Sequence, residues 1–161
     1  ILMNKGSILL LKTINGIQEK NLSPVIQDDS LSTMEAPKLT KELTKIDWNK
    51  SATEIHNLIR GLSPVLSENK LLKDVSICPS AWFLFHTSED KDIRTKLLLS
   101  KYSSKTNNKH GTIETDNKSY LKINLSDGSI YIEKLQIAGK NAVTISQFLL
   151  GNKVDNKWKI S

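Results

Sequence analysis

Few residues in this sequence could do chemistry, and they are scattered. The three histidines, His56, His86 and His110, fall in a predicted helix, at the end of a predicted strand and in a loop. No His-x-x-x-His spacing and no paired-carboxylate motif accompanies them, so neither a metal ligand set nor an acid–base couple is spelled out. His56 and Arg60 stand four apart and share one helix face, which reads first as a solvated face. Asp47 beside Trp48 offers a carboxylate, but in a connecting segment it reads as structural, with Trp48 pinning the segment to the domain through a half-buried ring. Gly139-Lys140 lies between a strand and a helix yet lacks the further glycines of a phosphate loop. Lys140 near a helix N-terminus still suits a phosphate contact. Lys38, Lys41 and Lys45 are spaced three and four apart and would line one side of a helical segment. Lysines of this kind supply affinity for phosphate without reading base identity; a solvated face is the alternative. No RNP-type aromatic cluster is visible, which argues against base stacking as the main mode of binding. Cys78 is the only cysteine, so an intrachain disulfide is excluded and a cysteine-based zinc site is disfavoured.

The elements that must position these residues form one domain of ordinary size with extra segments, within 161 residues. Hydrophobic residues make up 38% and aromatics only 6%, so the core is expected to rest on Ile, Leu and Val. The net charge is +6, from 23 basic and 17 acidic residues. Residues 1–32 hold Lys5, Lys12 and Lys20 against Glu19, Asp28 and Asp29, so the whole excess lies in residues 33–161. A basic domain beside a neutral stub points to a polyanion, nucleic acid first. A lysine-rich genome would give a similar balance. No apolar run approaches a membrane span, and the opening apolar stretch is too short, and too broken by Asn4 and Lys5, for a signal peptide.

Periodicity predicts a helix over 7–20, ended or weakened at Asn15-Gly16. An extended linker follows through Pro24 and Pro37. A capping box, Ser51-Ala-Thr-Glu54, opens a helix carrying Ile55, Leu58, Ile59 and Leu62, closed by Gly61 and Pro64. Residues 65–79 read as irregular. The period then changes to two, with strands expected at 81–85, 95–102, 111–115, 120–125 and 129–137. Asp127-Gly128 marks a hairpin. In the last strand Ile130 and Ile132 share one parity and Leu135 and Ile137 the other, which demands a bulge near Glu133-Lys134. Thr144-Ile-Ser-Gln147 caps a short helix ending at Gly151, and 153–161 reads as a polar, loose tail. About five antiparallel strands with flanking helices predict a mainly β fold, a small OB-like barrel.

Several segments together resemble one family. Ala36-Pro-Lys-Leu-Thr-Lys41, Ile46-Asp47-Trp48 and Glu54-Ile-His-Asn-Leu-Ile-Arg-Gly-Leu-Ser-Pro64 resemble the start of the C-terminal domain of the methionyl-tRNA formyltransferases. Pro79-Ser-Ala-Trp82, Asp127-Gly128, Leu135-Gln-Ile-Ala-Gly-Lys140 and Ile145-Ser-Gln-Phe-Leu-Leu-Gly151 continue the likeness in order, and Gln27-Asp-Asp-Ser30 resembles the linker entry. One departure is the stretch 65–78, which separates the Arg-Gly-Leu-Ser-Pro turn from the Pro-x-x-Trp that directly follows it in the family.

The resemblance implies this organisation: 1–20 as the terminal helix of a catalytic domain otherwise missing from the sequence, 21–48 as linker, 49–152 as the OB-like domain, 153–161 as tail. It implies a parent enzyme that moves a formyl group from 10-formyltetrahydrofolate to the amino group of initiator methionyl-tRNA in translation initiation. The cofactor would belong to the parent, with none in this chain, and no catalytic residue carries over. The role implied here is tRNA binding by Lys38, Lys41, Lys45, Arg60 and Lys140. Implied partners are tRNA and the chain's own N-terminal catalytic domain, in a monomer with no membrane association, in the bacterial cytoplasm or, second, the mitochondrial matrix. The alternatives are a spacer or oligomerisation domain of another formyltransferase or formyltetrahydrofolate hydrolase, and a free-standing OB-type RNA-binding protein.

Overall fold

The computed structural model describes residues 2–31, 37–67, 70–71, 79–105 and 109–161. The chain divides into two compact units, Ile1–Pro37 and Lys38–Ser161. In the first, helix α1 spans Leu2–Gln18 and a 3-10 turn spans Asp29–Leu31. Helix α1 runs through Asn15-Gly16, where the sequence suggested an end. It ends at Gln18; two residues on, Lys20 adopts φ 56° and the Asn21 and Lys20 amides bond back to the Gly16 and Ile17 carbonyls at 2.9 and 3.1 Å. That double bond closes the last turn in the manner of a Schellman cap. The Leu22 side chain folds back onto Gly16 and would have to swing aside for a Cβ there.

The second unit opens inside the predicted linker. Residues 38–48 are not a free connector: Thr44, Ile46 and Trp48 are buried. Helix α2, Ala52–Leu62, is capped as expected, with the Glu54 amide donating to Ser51 Oγ at 3.2 Å and the Ser51 amide donating to Glu54 Oε2 at 3.0 Å. Strands β1 (Val65–Ser67) and β2 (Lys70–Leu71) pair antiparallel, so the stretch read as irregular holds a short hairpin; 68–69 and 72–78, with Cys78, lie outside the described residues.

Strands β3 (Trp82–His86), β4 (Asp92–Ser103), β5 (Ile113–Thr115), β6 (Leu121–Asn124) and β7 (Ser129–Ile137) stand where alternation placed five strands. Strands β8 (Ala142–Thr144) and β9 (Lys159–Ile160) extend the sheet, and α3, Ile145–Gly151, lies between them in the chain. The order is β5-β6-β7-β4-β3-β9, with β8 on β7. All strand pairs are antiparallel, and the sheet curls into a nearly closed, small OB-like barrel. The expected bulge is present. In β4–β7, Leu97 faces Leu135, Leu99 faces Lys134 and Ser100 faces Ile132, so Leu98 is the extra residue of one strand and Glu133 of the other. This lets Ile130, Ile132 and Leu135 all reach the core.

The core rests mainly on Ile, Leu and Val, as expected. A run of rings also passes through it: Trp48 edge-on to Phe83 at 5.2 Å, Phe83 on Phe85 at 4.6 Å, Phe85 on Trp158 at 5.5 Å. Trp158 and Val154 are buried and Lys159–Ile160 pairs with β3, so 153–161 is not a loose tail. It read as polar because its apolar residues are few and widely spaced. No helix among the described residues is long and apolar enough to cross a membrane.

Candidate nucleic-acid interface

The predicted lysine ladder is not helical. Residues 41–44 form a turn, and Lys45 makes an isolated parallel bridge with Trp82. The Trp82 amide donates to the Thr44 carbonyl at 3.0 Å and the Ile46 amide donates to the Trp82 carbonyl at 2.8 Å. The indole Nε1 then donates to the Lys41 carbonyl at 2.8 Å. One residue thus binds the 41–46 segment to the edge of β3 by three hydrogen bonds. Its ring carries two cations: the Arg94 guanidinium lies 4.1 Å from the ring centroid and the Lys45 ammonium 5.8 Å. A guanidinium over an indole face is held by the ring quadrupole and keeps its outer donors for another acceptor.

The sheet carries this charge onward. Phe83, Phe85, Thr95 and Leu97 point inward, so Trp82, Arg94 and Lys96 take the outward parity. Lys96 faces Trp82 on one side and Gln136 on the other. Gln136 Nε2 donates to the Lys140 carbonyl at 2.9 Å, holding the 138–141 turn, in which Gly139 takes φ 76°. Lys41, Lys45, Arg94, Lys96 and Lys140 are thereby placed across the outer surface of the 41–46 segment, β3, β4 and the turn after β7. All five are exposed.

Of the sequence-predicted residues, Lys41, Lys45 and Lys140 fall on this surface. Lys38 is exposed just ahead of it. Arg60 is placed elsewhere, in the last turn of α2, donating to Asn57 Oδ1 at 3.2 Å. Its charge is felt by His56, whose pKa is lowered first by burial and then by Arg60, against a raising effect from Glu133. His56 bonds Ser100 Oγ at 3.0 Å. Arg94 and Lys96 are missing from the sequence-based set. Their signal is the alternation of Ile93-Arg-Thr-Lys-Leu97, which puts both on the outward face of β4.

Asp47 and His86 serve structural contacts. Asp47 accepts from the Asn49 amide and Nδ2, both at 3.0 Å, and serves the turn into α2. His86 joins Asp92 at 2.6 Å and Ser161 Oγ at 2.8 Å, tying the ends of β3, β4 and β9. No group of three or more His, Cys, Asp or Glu suited to a metal ion occurs among the described residues. The arrangement can bind an extended polyanion by its backbone.

The family model described as formyl transferase, C-terminal domain, matches residues 38–153. The chain belongs to this family. The match begins at the residue where the compact second unit begins. Curated relatives agree with it. The methionyl-tRNA formyltransferase of Clostridium perfringens strain 13 is 36% identical over 156 residues, which are 96% of this chain and 44% of that protein. The protein of the same name from Azobacteroides pseudotrichonymphae is 35% identical over 155 residues, 94% of this chain and 44% of that one. That of Bacteroides thetaiotaomicron is 29% identical over 164 residues, 99% and 47%. The chain therefore spans less than half the length of the curated relatives it matches. A crystal structure of a HypX variant from Aquifex aeolicus is similar with a TM-score of 0.48 and 18% identity, covering 91% of this chain and 24% of that one.

Proposed function

We propose that this chain is the tRNA-positioning C-terminal part of a bacterial methionyl-tRNA formyltransferase. In this reading the whole enzyme transfers the formyl group of 10-formyltetrahydrofolate to the amino group of initiator methionyl-tRNA in the cytoplasm, and this part holds the tRNA while the chemistry proceeds elsewhere. The observation that carries the reading is the outward row of cations gathered by Trp82. Relatives bearing that enzyme name align with nearly the whole chain.

Helix α1 fits the same reading. It buries no residue, and Ile8, Leu9, Leu10, Leu11, Ile14 and Ile17 are all exposed. An apolar helix of this kind needs a partner surface, which the catalytic domain of the parent enzyme would supply. The folate cofactor belongs, in this reading, to the catalytic domain of the parent enzyme.

Titration of labelled initiator tRNA with salt tests the proposal. Five phosphate contacts give a slope of log affinity against log salt of about −4 to −5. A flat profile, or no binding at low salt, removes the tRNA role and leaves the spacer alternative.

A further inference from the structure

A second feature of the barrel surface is absorbed by neither the phosphate row nor the fold. The protein has three tyrosines, and all three line one groove of about 580 Å³. Its phenylalanines are buried, as are Trp48 and Trp158. The tyrosines are not: Tyr102 is 49% exposed and Tyr120 and Tyr131 are half-buried. Tyr120 and Tyr131 stand 6.5 Å apart at 46°, and Tyr102 leans on His56 at 5.2 Å. Cations border the rings. Lys101 faces Tyr131 across β4–β7 and pairs with Glu133, Lys122 lies 5.8 Å from the Tyr131 ring while bonded to Glu114 at 3.0 Å, and Lys134 lines the rim.

The groove also continues the phosphate row. Lys134 is two residues from Gln136 on β7, and Lys101 is five residues from Lys96 on β4, about 16 Å along the strand. A polyanion lying on Arg94, Lys96 and Lys140 has this groove at its end. Rings at an opening, with cations at the edge, suit a base that is unpaired and free to stack; a paired base offers them no face.

We infer that the Tyr102–Tyr120–Tyr131 groove is a stacking site for an unpaired base of the RNA held on the phosphate row. The inference rests on the nucleic-acid reading above and deepens it: phosphate contacts supply affinity, and the groove adds a preference for a single-stranded nucleotide. Asp116 sets the geometry. Its carboxylate accepts from the Lys118, Ser119 and Tyr120 amides at 2.9, 2.8 and 3.2 Å, which fixes the turn presenting Tyr120 and holds the carboxyl far below its usual range, the Ser119 hydroxyl contributing most.

The test uses the full chain with labelled octa-adenylate and a blunt RNA duplex, by fluorescence anisotropy. Replacing Tyr102 and Tyr131 by Leu is expected to weaken octa-adenylate about tenfold and to leave the duplex within twofold. Proton NMR of the unaltered chain supplies a readout that needs no variant: the tyrosine ring signals move upfield on adding octa-adenylate. If the tyrosine signals stay in place while Arg94→Ala with Lys96→Ala weakens binding and lowers its salt slope, the groove is not a stacking site and the phosphate row stands. If the unaltered chain binds neither RNA, the nucleic-acid reading and this inference fall together.

Discussion

Replacing Arg94 and Lys96 together by Ala tests the phosphate row where sequence reasoning had no stake in it. Both side chains point outward from β4 and neither contributes to the core. The loss to the fold is confined to the guanidinium–indole contact at 4.1 Å, worth about 0.5–1 kcal/mol at an exposed site. The loss to binding is larger and has a distinct signature. With Lys41, Lys45 and Lys140 remaining, three contacts of five survive, and the salt slope falls in size from about 4.5 to about 2.7. Between 50 and 200 mM salt the unaltered chain then loses about 500-fold in affinity and the variant about 40-fold. Anisotropy of labelled tRNA at four or five salt concentrations reads both slopes. Arg94→Lys separates charge from stacking: the slope is retained and the ring contact is weakened by loss of the planar guanidinium. A double variant whose slope equals that of the unaltered chain would refute the assignment of these two residues to the interface.

His56 should titrate below its ordinary value of 6.5, because burial and Arg60 both oppose its protonation. A histidine whose folded pKa is depressed stabilises the fold above its unfolded pKa, and that contribution is lost as pH falls from about 6.5 through the folded value. NMR titration of the His56 ring should show the midpoint rising in Arg60→Ala and falling further in Glu133→Gln; the opposite shifts would contradict the arrangement. Gly128→Ala is expected to cost about 1–3 kcal/mol in urea unfolding, since the new methyl would run into the Ser103 carbonyl oxygen and the Ala52 Cβ, with no flexible side chain to give way to it at Ser103. A neutral Gly128→Ala would mean that the backbone at Gly128 does not approach the Ser103 carbonyl this closely.

The fold was largely legible where local rules dominate. Capping boxes at Ser51 and Thr144 fixed two helix starts, and period-two alternation located five strands. The conflicting parities of Ile130–Ile132 and Leu135 located a bulge at Glu133. Long-range pairing was not legible. Residues 38–48 have weak local preference and become ordered by bonding to Trp82, about 40 positions on in the chain. The last nine residues are ordered by buried Val154 and Trp158, by the bonds between Val154 and Asn117, and by a two-residue strand. The candidate site was legible in part for the same reason. Lys41, Lys45 and Lys140 lie in motifs that stand out one by one, but what gathers them with Arg94 and Lys96 is sheet register, which no single segment encodes. Arg60 lies on α2, outside that register, and the sheet brings together three tyrosines spread over 30 positions that form no local aromatic motif.

The bulge in the β4–β7 ladder acts in two halves. Leu98 puts β4 one residue ahead, Glu133 puts β7 one residue ahead, and the pairing on both sides of them keeps the same offset: Leu97 with Leu135 before, Ser100 with Ile132 after. They are related as a frameshift and its suppressor. Deleting either residue alone would displace every later partner by one position, moving Ile132 and Ile130 off their places in the core. Deleting both would restore the partners but leave a straighter ladder, without the extra bend that helps the sheet to close. Length changes in this part of the chain are therefore tolerable only as matched pairs, one in each strand.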